Sequence, residues 1–587
     1  MPEHILVAVA WPYVNGPFHV GHIAGAYLPA DIFARFQRLR GNQVLMVSGS
    51  DCHGTPITLA AEKEKITPQD VILRYHPTLL KTFMSLGITF DLFTQTYTEN
   101  HYAVTTDIFV RLLEKGYINQ QTMVGSYSET LGRFLPDRFV EGTCPHCGFG
   151  RARGDQCDNC GKLLDPQQLI NPRSTLDGAP VTFRDTDHFF LDLAQLEPAL
   201  REWLDGADRS YWRQNTVLFT QNWLREGLHA RAITRDLEWG IPVPVDDPIF
   251  KDKRIYVWFD AVIGYLSAAV EWAKRTGQPE RWREWWQLHA DGSAPARAYY
   301  FIGKDNIPFH TIIWPAMLLG YGERTLPYDV PANEFLNLEG EKISTSRNWA
   351  IWMPDVEDRY PADQLRYYLV ANAPENRDAN WLWADFVQRN NSELVANWGN
   401  LANRVLTIAQ KHFGHAPEPG ELTEADRQLT AATQAAFNTI TELLEGVRLK
   451  AALTEALALS QTANQYLSEQ EPWKLVKTDR ARAATVLFTA LRTIDTLKLL
   501  LSPFLPNSSQ QLHELLGYQG TIAPMPVIEQ EQAPDGSPRL VLTGNYAVDA
   551  TWSLSTLPAG QALQAPIPLF KKLDESVAAE ELERLKQ

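Results

Sequence analysis

Two histidines three residues apart, His19 and His22, stand in AWPYVNGPFHVGH, where an apolar run ends and a helical pattern begins. That spacing puts both on one side of a first helical turn, where free backbone N–H groups and the helix dipole favour an anion. Gly21 between them lets a ligand approach the backbone, so the imidazoles could donate to phosphate oxygens. Surface or capping histidines would have the same spacing. Much later, GEKISTSR (340–347) joins Lys342 to the hydroxyls of Ser344, Thr345 and Ser346 and to Arg347. A cation among hydroxyl donors on a loop suits a polyphosphate, although the glycine framework of a P-loop is missing.

A third group is metal-binding in type. Cys144, Cys147, Cys157 and Cys160 form two Cys-x-x-Cys pairs separated by nine residues. Two such knuckles complete the tetrahedral sulfur site that Zn²⁺ favours, and four sulfurs leave no open position, so one zinc would be structural and not catalytic. Disulfides or free thiols are the alternative. No secretion signal precedes the first strand, and the expected location is the cytoplasm, where thiols stay reduced. Cys52 is left over and reads as a small packed residue.

The elements that must position these groups begin with alternating strand and helix. HILVAVAW reads as a buried strand, GHIAGAYLPADIFARFQRLRG as a helix stopped at Gly41, and NQVLMVSGSD as a second strand. This is a βαβ unit of a parallel sheet, whose ligands bind beyond the carboxyl ends of the strands. From about 116 to 230, Pro, Gly, Arg and the cysteines break the pattern, as in an inserted domain with a small, metal-stapled core. Strand-like runs return in RIYVWFDAV and ARAYYFIGKD, which suggests one α/β nucleotide-binding sheet of Rossmann type split by the insertion. After about 385 strands are expected to disappear. Leu394, Trp398, Leu401, Val405 and Ile408, and then Leu487, Leu491, Ile494, Leu497 and Leu501, each give one apolar stripe per helix, the mark of an all-α bundle. LDESVAAEELERLKQ reads as a polar tail helix. The expected domains are 1–115 and 231–325 (the sheet halves), 116–230 (the insertion), 326–385 (the region of the Lys342 loop), 386–550 (the bundle) and 551–587 (the tail).

No stretch reaches the ~18 uninterrupted apolar residues of a membrane helix, so no membrane partner is expected. The net charge of −16 speaks against a nucleic-acid partner on average, yet a local basic groove can coexist with an acidic remainder.

The strand followed by Pro-x-x-x-Gly-x-x-His-x-Gly-His resembles the His-Ile-Gly-His signature of class I aminoacyl-tRNA synthetases, and GEKISTSR resembles their Lys-Met-Ser-Lys-Ser loop. Together with GSDCHGTP (49–56), the cysteine knuckle, VWFDAVIGY (257–265), FIGKDNIPFH (301–310) and NWGNLANRV (397–405), the chain resembles the methionyl-tRNA synthetase family over nearly its whole length. The resemblance implies joining of L-methionine to AMP, with Mg²⁺ accompanying ATP, and then transfer to the terminal adenosine of the methionine tRNAs, the initiator included. It implies His19, His22 and Lys342 as catalytic donors, and Gly21, Gly303, Asp305, Ser344, Thr345 and Arg347 as further ATP contacts. It implies Ala10, Tyr13, Asp51, Trp258, Ala261, Tyr265, Phe309, His310 and Trp314 around methionine, with Asp51 on the ammonium. Asn400, Arg404 and Trp473 would read the anticodon.

On local grounds Asp51 could equally be a cap, the aromatics ordinary core, Gly303–Asp305 a turn and Trp473 a packed side chain. The chain departs from the family pattern at Trp11, where leucine is frequent, at Val262, where proline is, and at Thr345, which replaces the second loop lysine. Lys342 is therefore expected to carry more of the pyrophosphate's charge, helped by Thr345 and Arg347. The chain ends soon after the bundle with no room for an OB-fold, and a monomer is expected. Rival readings are another class I synthetase, or a non-catalytic relative that kept the fold.

Overall fold

The computed structural model describes residues 2–154, 157, 159–160, 162, 164–288, 294–532 and 538–586. At its centre lie the strands β1 (His4–Val9), β2 (Gln43–Ser50), β3 (Leu92–Gln95), β4 (Arg297–Gly303), β5 (Pro327–Asp329), β6 (Val527–Gln532) and β7 (Pro538–Thr543), in the sheet order β5-β4-β1-β2-β3-β7-β6. Ala332–Asn333 adds a further short pairing to β4. The five strands from β5 to β3 run parallel, with Ala8 opposite both Val47 of β2 and Tyr300 of β4. The two strands that flank β1 thus come from segments some 250 residues apart in sequence, as a split sheet requires.

The pleat of β1 sorts its side chains into two cores. Ile5, Val7 and Val9 pack with Phe33 and Phe36 of the helix Leu28–Leu39, whereas Leu6 and Ala8 pack on the other face with Phe259 and Leu266 of the helix Val257–Arg275. The sequence reading of VWFDAV as strand is corrected here. Only Arg254–Ile255 is extended, and Val257–Arg275 is helical. Its near-continuous apolar run reflects a helix buried on most of its circumference beneath β2 and β3, a pattern that periodicity cannot separate from a buried strand.

The insertion is an antiparallel ribbon of Ile118–Ser128 against Thr182–Leu191, carrying the small sheet of Val140–Thr143, Ala152–Arg153 and Ile170–Ser174. Among the described residues its apolar core is eight side chains, two of them Cys144 and Cys157. After residue 385 the chain is mainly helical, with long antiparallel helices Glu424–Glu445, Leu449–Gln470 and Arg480–Leu501. The expectation that strands end there is also corrected, because β6 and β7 form a hairpin whose Leu542 pairs with Phe93 of β3, so the last part of the chain returns to extend the central sheet. The alternating EQEQ of β6 is largely exposed and carries no core signal; Arg275 bridges to Glu529 (2.9 Å) and Glu531, and Arg539 reaches Glu271 (2.6 Å). The tail helix Ser576–Arg584 docks through Glu581, which accepts from Arg359 and Tyr360.

One buried node joins three parts of the chain. The Arg366 guanidinium, wholly sequestered, donates to Asp31 (2.7 Å) on the first long helix, to Leu86 O (3.1 Å), and to Pro503 O and Phe504 O of the bundle (2.7 and 2.9 Å).

Candidate active site

The residues after β1, β2 and β4 converge on a cavity of about 670 Å³ at the carboxyl end of the sheet. It is lined by Ala10, Tyr13, His19, Gly21, His22, Asp51, Trp258, Ala261, Tyr265, Gly303, Asp305, Phe309, His310, Lys342 and Thr345, all sequence-predicted. Ser344, Arg347 and Trp314 are not brought to its wall. Trp314 lies a layer behind, fully buried and donating to the Tyr300 hydroxyl at 2.9 Å. Arg347 turns outward to Glu341 at 3.5 Å.

At the phosphate-type end, Val20–His22 opens a helix that continues through a π turn, Ile23–Tyr27. His19 caps it, its Nδ1 accepting from Gly21 N at 3.1 Å, while His19 N donates to His22 Nδ1 at 3.2 Å. The capping alternative is thus realised, and it aims the remaining ring atoms into the cleft: the two imidazoles stack with centroids 3.7 Å apart. Burial lowers His19 to about 2, with His22 adding to the effect, and burial lowers His22 to about 4. Both rings are therefore neutral donors in the empty site. Both rings line the cleft, where an arriving anion would meet them. Gly21 is required by close approach: a Cβ there would stand 3.0 Å from the His19 ring and 3.3 Å from Ile343 Cδ1.

Ile343 lines the same cleft, beside the histidines, and brings the Lys342 loop with it. The loop leaves the short ladder of Leu336–Leu338 with Glu341–Lys342, and returns to pair Ile351 O with Val20 N (3.0 Å) and Met353 N with Phe18 O (2.8 Å). Lys342 is exposed, its ammonium 4.8 Å from the centre of the Phe335 ring; Lys304 sits 4.0 Å from the same ring and pairs with Glu334 (2.6 Å) and Asp378 (3.1 Å). Lys304 and Phe335 were not expected from sequence, since a lysine in Gly-Lys-Asp reads as a solvated turn. Asp305 follows Gly303 on a single 3₁₀ turn, Lys304–Asn306, and burial raises its carboxyl while Lys342 and Lys304 work against that.

At the other end the wall is aromatic. Trp258 stacks on Phe309 (4.2 Å, 9°) and meets Tyr13 edge-on (6.4 Å, 80°). His310 Nδ1 lies 2.8 Å from Asn306 O and so carries the hydrogen, which leaves Nε2 to accept from the Tyr265 hydroxyl at 2.7 Å. Burial holds His310 down at about 4, so this wall stays uncharged. Asp51 is the carboxyl at this end that a cation could meet. It is 3% exposed, its backbone bonded to the residues after β1 (Asp51 N to Pro12 O, 2.7 Å; Val14 N to Asp51 O, 3.1 Å). Burial first, and Asp260 second, push its carboxyl well up. Trp11, a departure from the family pattern, fills the space above two glycines: a Cβ on Gly264 would meet its ring at 2.5 Å and one on Gly49 at 2.2 Å. The cavity can therefore take a small molecule with a cationic end, an apolar body and a polyphosphate beside it.

Elsewhere, the four cysteine sulfurs lie within 4.8 Å of one another, with Cys144–Cys160 at 3.9 Å and Cys147–Cys157 at 3.6 Å. These separations are far too long for disulfides and match the edge of about 3.8 Å in a tetrahedron with 2.3 Å metal–sulfur bonds. The cluster can hold a metal ion. Cys52 is fully buried, its thiol pushed up to about 12 by burial. In the bundle, Asn400 is exposed on the helix Asn400–Phe413, and Arg404 on the same helix lies 5.0 Å over the Trp473 ring. No helix among the described residues is long and apolar enough to cross a membrane.

A split parallel sheet with paired histidines after its first strand and a lysine loop closing over them is the architecture of a class I aminoacyl-tRNA synthetase catalytic domain. Residues 5–406 match the family of class I (M) tRNA synthetases, and residues 416–535 match the anticodon-binding domain of methionyl tRNA ligase. The chain is 75% identical to the methionine–tRNA ligase of Roseiflexus sp. (strain RS-1), over all of this chain and 99% of that one, and 55% identical to that of Chloroflexus aurantiacus with the same coverage. Among solved structures it resembles Mycobacterium tuberculosis methionyl-tRNA synthetase in complex with methionyl-adenylate (TM-score 0.75, 26% identity, 97% of this chain and 99% of that one). The chain belongs to the methionyl-tRNA synthetase family.

Proposed function

We propose that the chain is a methionine–tRNA ligase that activates L-methionine with ATP and transfers it to the terminal adenosine of the methionine tRNAs, the initiator included. The observation that carries this reading is the single cavity in which an aromatic wall and Asp51 adjoin the paired histidines and Lys342. In the first step a methionine carboxylate oxygen attacks the α-phosphorus of ATP. A P–O bond forms, the bond to the β-phosphate breaks, and pyrophosphate departs with the Mg²⁺ that entered with ATP. No side chain acts as nucleophile, so catalysis is positioning and stabilisation of charge. Asp51 takes the ammonium, and the stacked Trp258 and Phe309 with the neutral Tyr265–His310 pair suit a polarizable thioether. His19 and His22 donate to the phosphates, Lys342 leaves the Phe335 face for the departing pyrophosphate with Thr345 beside it, and Gly303 with Asp305 contacts the ribose. In the second step a ribose hydroxyl, the 2′ by class I resemblance, attacks the methionyl carbonyl carbon, and AMP leaves.

The four cysteines fit one Zn²⁺, which when bound would staple the insertion's small core and take no part in the chemistry. Asn400, Arg404 and Trp473 form the anticodon face, with Trp473 as a stacking platform for an unstacked base. The enzyme works as a cytoplasmic monomer, a state that light scattering checks. Pyrophosphate exchange into ATP, tested with the amino acids singly, should respond to methionine alone. Exchange with a different amino acid, or with none, would refute the proposal.

A further inference from the structure

Beside the cavity, and outside its wall, lies a buried polar group that the proposed steps do not use. His53, Asp260 and His101 all sit within 3% of full burial, with ligand atoms within 4.8 Å of one another. The spacing would admit a metal ion, but every imidazole nitrogen already has a protein partner. His53 Nδ1 is 2.7 Å from Asp260 Oδ2 and Nε2 is 3.3 Å from the Tyr102 hydroxyl; His101 faces Ser267 Oγ (2.8 Å) and Thr105 Oγ1 (3.4 Å). Asp260 Oδ1 has no hydrogen bond among the described residues, so the His53 ring is the side chain that anchors this carboxylate.

His53 faces two carboxylates at once. Its ring N–H donates to Asp260, and its backbone N–H donates to Asp51 Oδ1 at 3.2 Å. The two residues of the ring contact are 207 positions apart. One follows β2 in the first half of the split sheet, and the other lies in the first turn of the helix Val257–Arg275, whose Trp258 and Ala261 line the cavity. The orientation of the Asp51 carboxylate thus depends on where the backbone of residue 53 is held, and the Asp260 contact holds it.

We infer that His53 and Asp260 are positioning residues for recognition of the substrate's ammonium, acting through Asp51 and tying it to the helix that bears the thioether wall. Burial opposes charge on both carboxyls, and Asp260 beside Asp51 adds to the repulsion. An arriving cation relieves both, which makes the empty site selective for a ligand that brings a positive charge. The inference rests on Asp51 being the ammonium partner.

The test uses the full chain, steady-state pyrophosphate exchange, and inhibition by 4-(methylsulfanyl)butanoate, which keeps the thioether and carboxylate of methionine and lacks its ammonium. Loss of a hydrogen bond to a charged group predicts that His53→Ala and Asp260→Ala each raise the KM for methionine about tenfold or more. The KM for ATP and the inhibition constant of the des-amino acid should stay near the parental values, and His53→Asn, which keeps a donor toward Asp260, should restore most of the loss. Equal rises in both KM values would make the pair a structural tie alone and overturn the inference. So would unchanged methionine KM values in the two alanine variants while Asp51→Asn raises it. If Asp51→Asn itself leaves methionine binding intact, the assignment of Asp51 falls first, and the inference falls with it.

Discussion

Gly264→Ala puts a single methyl against Trp11, beside the candidate methionine pocket. The new Cβ would lie 2.5 Å from Trp11 Cε2 and 2.7 Å from Cζ2, well inside contact distance. The ring cannot retreat toward β2, where the space above Gly49 is already taken: a Cβ there would meet Trp11 at 2.2 Å and Thr94 O at 2.7 Å. Trp11 lines the cavity, so its remaining path leads into the space assigned to the thioether. Overpacking by a methyl group costs about 1–3 kcal/mol, and if that strain is expressed on binding it weakens methionine by roughly 5- to 160-fold. ATP, whose phosphate end is lined by other residues, should be affected less than threefold. The assay is pyrophosphate exchange with methionine and ATP varied in turn, and the double variant Gly264→Ala, Trp11→Leu is its control, because the smaller side chain vacates the clash. A methionine KM unchanged in the single variant, or a double variant no better than the single one, would refute the reasoning.

Three further outcomes are expected. His19 and His22 are held at about 2 and about 4, so as bases with lowered values they gain charge only in acid; kcat/KM for ATP, which reports the free enzyme, should have no limb assignable to them between about pH 6 and 8, and an acid limb near the ordinary imidazole value of about 6.5 that vanishes in a His22→Asn variant would contradict this. Metal analysis should find one zinc per chain, and exhaustive chelation should remove it while loosening the insertion and depressing exchange activity, since binding and folding of so small a core are coupled; full activity in metal-free protein would contradict a stapling role. Arg366→Met, at the node that joins the first long helix to the bundle, should destabilise the chain by about 3–5 kcal/mol, read as a fall in the denaturant midpoint, whereas the exposed Arg347→Met should change it little.

Much of this organisation was legible because it is local. The β1–helix–β2 unit, the cysteine knuckle and the helices of the bundle are set by periodicity and spacing within short windows, and they stand as read. Recognition of the paired motifs then supplied the long-range step, that the segments around residues 20 and 342 face one cavity. What remained hidden depends on surroundings. The Val257–Arg275 helix is buried nearly all round, so it lacks the one-sided stripe that distinguishes a helix. The β6–β7 hairpin is recruited by a sheet edge some 450 residues earlier, a pairing no local pattern encodes. His53 and Lys304 look like ordinary polar residues in turns; their roles follow from partners at Asp260, Glu334 and Asp378 that only the folded chain brings near. Trp314 is the converse case, an aromatic of the right segment that packs behind the wall of the cavity.

The proposed reaction requires one cavity to seat methionine and ATP side by side. It is tested most directly by equilibrium binding of a non-hydrolysable methionyl-adenylate mimic, titrated calorimetrically against the free chain and then in the presence of saturating methionine or saturating ATP. A ligand that spans both subsites and resembles the reacting complex should bind at least a hundredfold more tightly than methionine, and each substrate alone should displace it competitively. Binding no tighter than that of methionine, or competition by one substrate and indifference to the other, would contradict the account.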